Sequence, residues 1–195
     1  MTYVKQAYVF PLLAVLLYAG TARAQPRTGN FKNEFSGGMG FAVGLSNWAG
    51  GGFVMEHEYG RKFSERVWLN LQLNFVLGGG DYCGYNARGE WVCHGNYRFS
   101  GDAIQMIGGV KFKFLSGKLQ PHAKVGGGLV FSFWGGDTSA ITLAVRGGGG
   151  VKYWVIPRLA VGGEGNVTLG PAFVHDYGTE FYAAIDFIGG VEFVF

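Results

Sequence analysis

The chain has 195 residues, 36 of them glycine, with 48% hydrophobic and 15% charged residues and a formal charge of +3. Globular chains average roughly 7% glycine and 25% charge; 17 Phe and 10 Tyr beside the glycine argue against a disordered chain, and no basic run points to a nucleic-acid partner. The length suits one domain built from strands and tight turns.

The first 24 residues read as a secretion signal. Lys5 is the positive start, Tyr8 to Ala19 the apolar stretch, and Ala22-Arg23-Ala24 the small-x-small cleavage site. A retained anchor would need about 20 apolar residues, more than this run offers. The mature chain, residues 25–195, is then one barrel domain. Loss of Lys5 and Arg23 from 16 basic residues leaves 14 against 13 acidic ones. A polar lead, Gln25 to Asn33, precedes the first strand.

Eight strands follow. The first, Phe35 to Leu45, sets Met39, Phe41, Val43 and Leu45 against Gly38, Gly40, Ala42 and Gly44. The second, Gly52 to Gly60, places Glu56 and Glu58 on its polar face and His57 on the other. The third, Val67 to Leu77, alternates strictly: Leu69, Leu71, Leu73 and Phe75 against Trp68, Asn70, Gln72 and Asn74. Eleven residues is the length of a strand that crosses a bilayer. Gly78 to Ser100 is the longest connection.

The fourth strand, Asp102 to Leu115, opposes Ile104, Met106, Val110 and Phe112 to Gln105, Lys111 and Lys113. The fifth, Leu119 to Trp134, opposes Val125, Leu129, Phe131 and Phe133 to His122, Lys124, Gly126, Gly128 and Ser132. The sixth, Thr138 to Trp154, turns Thr142, Arg146 and Lys152 to the polar face. The seventh, Leu159 to Leu169, turns Glu164, Asn166 and Thr168 the same way. Gly170 to Thr179 reads as a loop. The last strand, Glu180 to Phe195, has Phe181, Ile185, Phe187, Val191, Phe193 and Phe195 on one face and Asp186 and Glu192 on the other.

No helical stretch in residues 25–195 could cover these apolar faces. Lipid can, if the strands close into an all-β, eight-stranded antiparallel transmembrane up-and-down barrel with a polar lumen. Aromatic residues near strand ends, Tyr59, Phe114, Tyr153, Phe193 and Phe195, fit a belt at the lipid boundary. The inward acids are Glu56, Glu58, Glu164, Asp186 and Glu192; the inward bases are Lys111, Lys113, Lys124, Arg146 and Lys152. Buried charges are costly unless paired, so a balanced set predicts a lumenal ion-pair network, with Arg146 paired to Glu164 or Asp186 and His122 among its members. An eight-stranded barrel is just wide enough for side chains to fill, which predicts a plugged cylinder. The inward glycines work against this by removing filling volume, and a wet cavity is the expectation there. The opposite assignment, a soluble barrel with an apolar pocket, would need the apolar faces turned inward.

Cys83 and Cys93 lie in the longest connection of a chain bound for an oxidising space, which predicts a disulfide. With His94 they form only a weak zinc pattern; no metal and no cofactor is expected, since the glycine runs fall within strands and not in a strand-to-helix turn.

The signal, the eight alternating strands and the closing Gly190 to Phe195 resemble the small bacterial outer-membrane barrels, the OmpA transmembrane domain and the OmpX/Ail type. The likeness covers nearly all of the mature chain and is one of architecture. Phe193 and Phe195 match the assembly signal read by the barrel-assembly machinery. The resemblance implies a monomer in the cell outer membrane, termini and short turns on the periplasmic side, and longer loops outside. The connections after strands two, four and six are short, and those after strands three and seven are longer; those after strands one and five are short and fit less well.

Members of these families serve in anchoring, adhesion, solute conductance and lipid chemistry. A structural or surface-interaction role fits best here. The Gly80 to Phe99 loop carries Tyr82, Tyr85, Trp91 and Tyr97 around the Cys pair and offers a surface to an extracellular partner; it serves equally as a rigid cap over the barrel mouth. A narrow, porin-like pore or small-solute-binding barrel is the alternative. A lipid-modifying enzyme is disfavoured, because none of His57, His94, His122 and His175 has a serine two residues on.

Overall fold

Alternation dictates the architecture. In a computed structural model the chain forms a closed antiparallel barrel of eight strands, in the order β1-β10-β9-β8-β7-β6-β3-β2, with a separate two-stranded ribbon, β4-β5. The structure describes residues 31–46, 49, 51–78, 81–85, 91–95, 101–115, 117–133, 139–174 and 178–195, with the backbone alone for 81–85 and 91–95. The predicted signal peptide and most of the lead lie outside the described residues.

The barrel strands are β1 (Asn33–Gly44), β2 (Gly52–Lys62), β3 (Val67–Gly78), β6 (Asp102–Lys113), β7 (Leu119–Phe133), β8 (Ser139–Ile156), β9 (Leu159–Val174) and β10 (Gly178–Val194). The wall closes where β1 meets β10, from Glu34 opposite Val194 to Gly44 opposite Ala184. Closure leaves no sheet edge, which a bilayer core could not satisfy. Beyond the strands, the Lys32 and Asn33 amides donate to the Phe195 carbonyl, tying the first strand to the last.

Two expectations are corrected. The connection after β3 contains its own ribbon, β4 (Asp81–Tyr85) with β5 (Trp91–Gly95), in addition to the eight wall strands. Gly170 to Thr179 is not a long loop: β9 continues to Val174, β10 begins at Gly178, and residues 175–177 alone join them. Phe173, Ile141 and Phe181 extend the alternation past Gly170, and the sheet follows it: Phe173 stands opposite both Ile141 and Thr179. The long loop expected after the seventh wall strand is therefore absent.

Every face assignment follows the parity of the strands. Met39, Phe41, Leu71, Leu143, Val145, Phe181 and Val191 are exposed on the outer wall, whereas Val54, Val76, Val130 and Tyr182 are buried inside. Ala183 shares the outward parity of Phe181 yet is buried. Its carbonyl accepts the Leu45 and Ser46 amides, and its own amide donates to Ser46 Oγ, so the chain leaving β1 lies across it.

Candidate functional site

The lumen has three zones. Toward the end where β1 turns into β2, Val54, Val76, Ala103, Val130, Ala172, Val174, Tyr182 and Ala184 pack as one apolar cluster. At the opposite end, near both termini, Trp154, Ala160 and Val194 form a second, with Phe31 against it. Between them lie the charges. The polar lumen thus has an apolar cluster toward each end of the described barrel, and the inward Tyr182, Ala184 and Val194 of the last strand belong to these clusters.

The charged zone contains all ten residues read from the sequence, and one more. Glu34 is completely buried and binds both Lys111, at 2.8 Å, and Lys113. Lys111 also binds Glu58 and lies 3.6 Å from Glu192. Glu192 further binds Lys113 at 3.2 Å, and Lys152. The Lys113 ammonium sits 4.2 Å over the Trp68 ring. Glu34 falls just before the first predicted strand, but it shares the parity of Ser36 and Gly38, and extending the alternation by one step would have found it.

The second half of the network centres on Arg146. Its guanidinium grips Asp186 through two parallel hydrogen bonds, 2.6 and 2.9 Å, the fork geometry that suits arginine. Glu56 is its second acid, at 3.2 Å; Glu164, the other partner read from the sequence, instead binds Lys124 and His122. Lys124 also reaches Glu56 at 3.2 Å and Glu58 at 3.4 Å, joining the two halves. Amide side chains complete the shell: Gln72 and Asn70 donate to Glu58, and Asn166 donates to Asp186. Counting Glu34, five buried carboxylates and the half-buried Glu164 face five buried cations, with His122 3.1 Å from Glu164.

At two inward glycines a neighbouring side chain fills the place of the missing Cβ. A Cβ on Gly60 would sit 2.6 Å from the Glu34 Cγ, and one on Gly148 would sit 2.1 Å from the Asn166 Oδ1. These glycines make room for the network's own side chains. A cavity of about 30 Å³ remains beside His122, Lys152, Glu56, Glu164 and Glu192. It has room for a water molecule or two and for no organic solute.

His57 is exposed on the outer wall at mid-strand, stacked on Phe35 at 6.3 Å and edge-on to Phe75 at 6.5 Å. Among the described residues it makes no hydrogen bond. The ribbon register sets Cys83 opposite Cys93, Tyr85 opposite Trp91 and Tyr82 opposite His94. Tyr97, Phe99 and His175 lie outside the described residues. Phe193 and Phe195 stack at 6.1 Å on the outer wall.

A closed antiparallel barrel of eight strands, apolar outside and charged within, defines a class: the small outer-membrane β-barrel. No protein-family model matches the chain, and no curated protein sequence matches it. Solved structures share the fold. Neisserial surface protein A (NspA) superposes with a TM-score of 0.60 at 11% identity, covering 84% of this chain and 97% of that one. A major outer membrane protein from Thermus thermophilus gives 0.53 at 14% identity, covering 84% and 99%. Ail, the attachment invasion locus protein of Yersinia pestis, gives 0.51 at 9%, covering 86% and 100%. At these identities the likeness is of fold, and the sites must be read from this chain's own residues.

Proposed function

We propose that this chain is a sealed, non-enzymatic outer-membrane barrel with a structural or surface-contact role. The observation that carries this is the lumen: an ion-pair network between two apolar layers, with a pocket of about 30 Å³ beside it, room for a water or two. A porin-like pore or solute site needs a continuous wet path. Here Val54, Val76, Val130 and Tyr182 obstruct one end of it, Trp68 and Trp154 the other.

In this reading residues 1–24 are removed on export, the assembly machinery recognises Phe193 and Phe195, and the barrel works as a monomer with both termini in the periplasm. The ribbon β4-β5 then stands outside the cell. Directly opposed cysteines in an antiparallel pair have the Cα separation that a disulfide needs, which supports a Cys83–Cys93 staple holding an aromatic-rich contact loop. Ail, of the same fold, has been crystallised with the heparin analogue sucrose octasulfate. That ligand class does not transfer readily. The connections and strand ends on the loop side contain Asp81, Glu90, Asp102, Asp137, Asp176 and Glu180 against Arg88 and Arg98, a balance that disfavours polyanions and leaves aromatic contact as the better-supported mode.

Planar-bilayer recording of the refolded protein tests the seal. The expected result is no current step above the bare bilayer; steady, voltage-independent steps would overturn it in favour of the narrow pore.

A further inference from the structure

Among the described residues, exposed charge is segregated along the barrel axis. Of the described Lys and Arg residues, Lys111, Lys113, Lys124, Arg146 and Lys152 are buried in the lumen. The others, Lys32, Arg61, Lys62, Arg66, Lys118 and Arg158, all lie at the end that carries the termini. The acid exposed there among the described residues is Glu65, and Lys62 neutralises it at 2.7 Å. Five cations remain without an acidic partner among the described residues. At the opposite end the exposed described charges are Asp102 and Glu180.

These cations do not stand on polar turns. Each turn at this end pairs a cation with exposed apolar side chains: Phe63 between Arg61 and Arg66, Phe114 and Leu115 before Lys118, Val155 and Ile156 before Arg158. Phe63 is 76% exposed. Arg61 follows Tyr59 on the same outward parity, and Tyr153 and Phe193 complete an aromatic level just inside the cations. A turn meant for water or for a soluble polymer has no reason to expose Phe and Ile. A turn lying in the headgroup layer does: its apolar side chains enter the acyl boundary and its cations meet phosphate.

We propose that this rim is a binding surface for anionic phospholipid headgroups of the periplasmic leaflet, with Lys32, Arg61, Arg66, Lys118 and Arg158 as its cations. The proposal rests on the transmembrane reading of the outer wall. It adds a lipid preference that an apolar wall alone cannot supply, because acyl chains of all phospholipids are alike to it. A basic side chain near an anionic surface favours association about fivefold, and the effect is screened by salt.

The test is electron paramagnetic resonance of the mature chain folded in phosphatidylcholine bilayers doped with spin-labelled phosphatidylglycerol or spin-labelled phosphatidylcholine. The motionally restricted fraction of each lipid gives their relative association with the barrel. The expected result is a phosphatidylglycerol preference of about fivefold at low salt, falling toward unity in about 1 M salt. In the variant R61Q/R66Q/K118Q/R158Q it falls toward unity at low salt too, whereas K62Q, which removes an already neutralised cation, keeps it. Equal association of the two lipids overturns the proposal, as does a preference that survives the fourfold variant. Equal association together with co-sedimentation of the detergent-folded protein with peptidoglycan sacculi would assign the rim to an anionic polymer. Only protein whose gel mobility changes on boiling is scored, so failure to insert, which would contradict the transmembrane reading, is distinguished from loss of lipid preference.

Discussion

Arg146 shows what a single residue does in this lumen. It is buried, and its guanidinium engages Asp186, Glu56, Gln105 and Thr168. Arg146→Met would leave buried Asp186 without its cation and Glu56 with Lys124 alone, a loss of about 3–5 kcal/mol by comparison with broken buried pairs. Urea unfolding in detergent micelles or lipid vesicles would measure it. Adding Asp186→Leu should recover part of the loss, because an apolar replacement for both charges removes the unpaired carboxylate; if the double variant is less stable than R146M, the ion pair is not the source of the effect. The glycines supply a second contrast. Gly147→Ala faces outward with its nearest contact at 3.9 Å, and Gly148→Ala faces inward against Asn166 at 2.1 Å. The first should change stability by less than about 0.5 kcal/mol, the second should cost about 1–3 kcal/mol; equal effects would contradict the inward packing. The sequence carried the parity of these positions plainly, since period two decides which residues face the lumen. It did not carry the partners. Glu164 and Asp186 occupy equivalent faces of neighbouring strands, and which of them meets Arg146 depends on register and on how far a side chain reaches across the lumen.

Among the elements, long alternating strands were legible and short ones were not. β3 shows eleven alternating residues, Val67 to Leu77, and its extent was plain. β4 and β5 have five residues each, with Gly84 inside one and Cys93 inside the other, too short for periodicity to separate from loop. A Gly-Pro pair such as Gly170-Pro171 marks a turn in sequence, which hides the continuation of β9 to Val174. Here Gly170 allows the Leu143 carbonyl within 2.0 Å of where a Cβ would stand, and Pro171 occupies a position that faces outward on the wall. The ribbon also yields a prediction. Its strands pair with each other and lie outside the order of the barrel wall, so C83S/C93S should leave the barrel's unfolding midpoint within a few degrees while abolishing a reductant-sensitive gel shift present in the wild type. An unchanged shift would mean the cysteines are not joined; a collapse of the midpoint would mean the ribbon supports the wall.

Over the barrel as a body, two surfaces are separated by one sheet. The outer wall is a continuous apolar band flanked by aromatic side chains, and the lumen holds the buried charge. That separation was legible from residues 35–195 because a strand's period of two writes both faces into every segment. The apolar layers at the two ends of the lumen were not, since Tyr182 packs with Val54, Val76 and Val130 at one end and Trp154 with Ala160 and Val194 at the other, contacts between strands that a period of two does not specify. Everything above turns on lipid, not protein or water, covering the outer wall. Outer-membrane fractionation of the expressed protein, followed by electrophoresis with and without boiling, decides the point. Recovery with the outer membrane and faster migration of the unboiled band are expected, as a folded barrel resists the detergent. Recovery as a soluble periplasmic protein without detergent, with one mobility in both conditions, would contradict a lipid-covered wall.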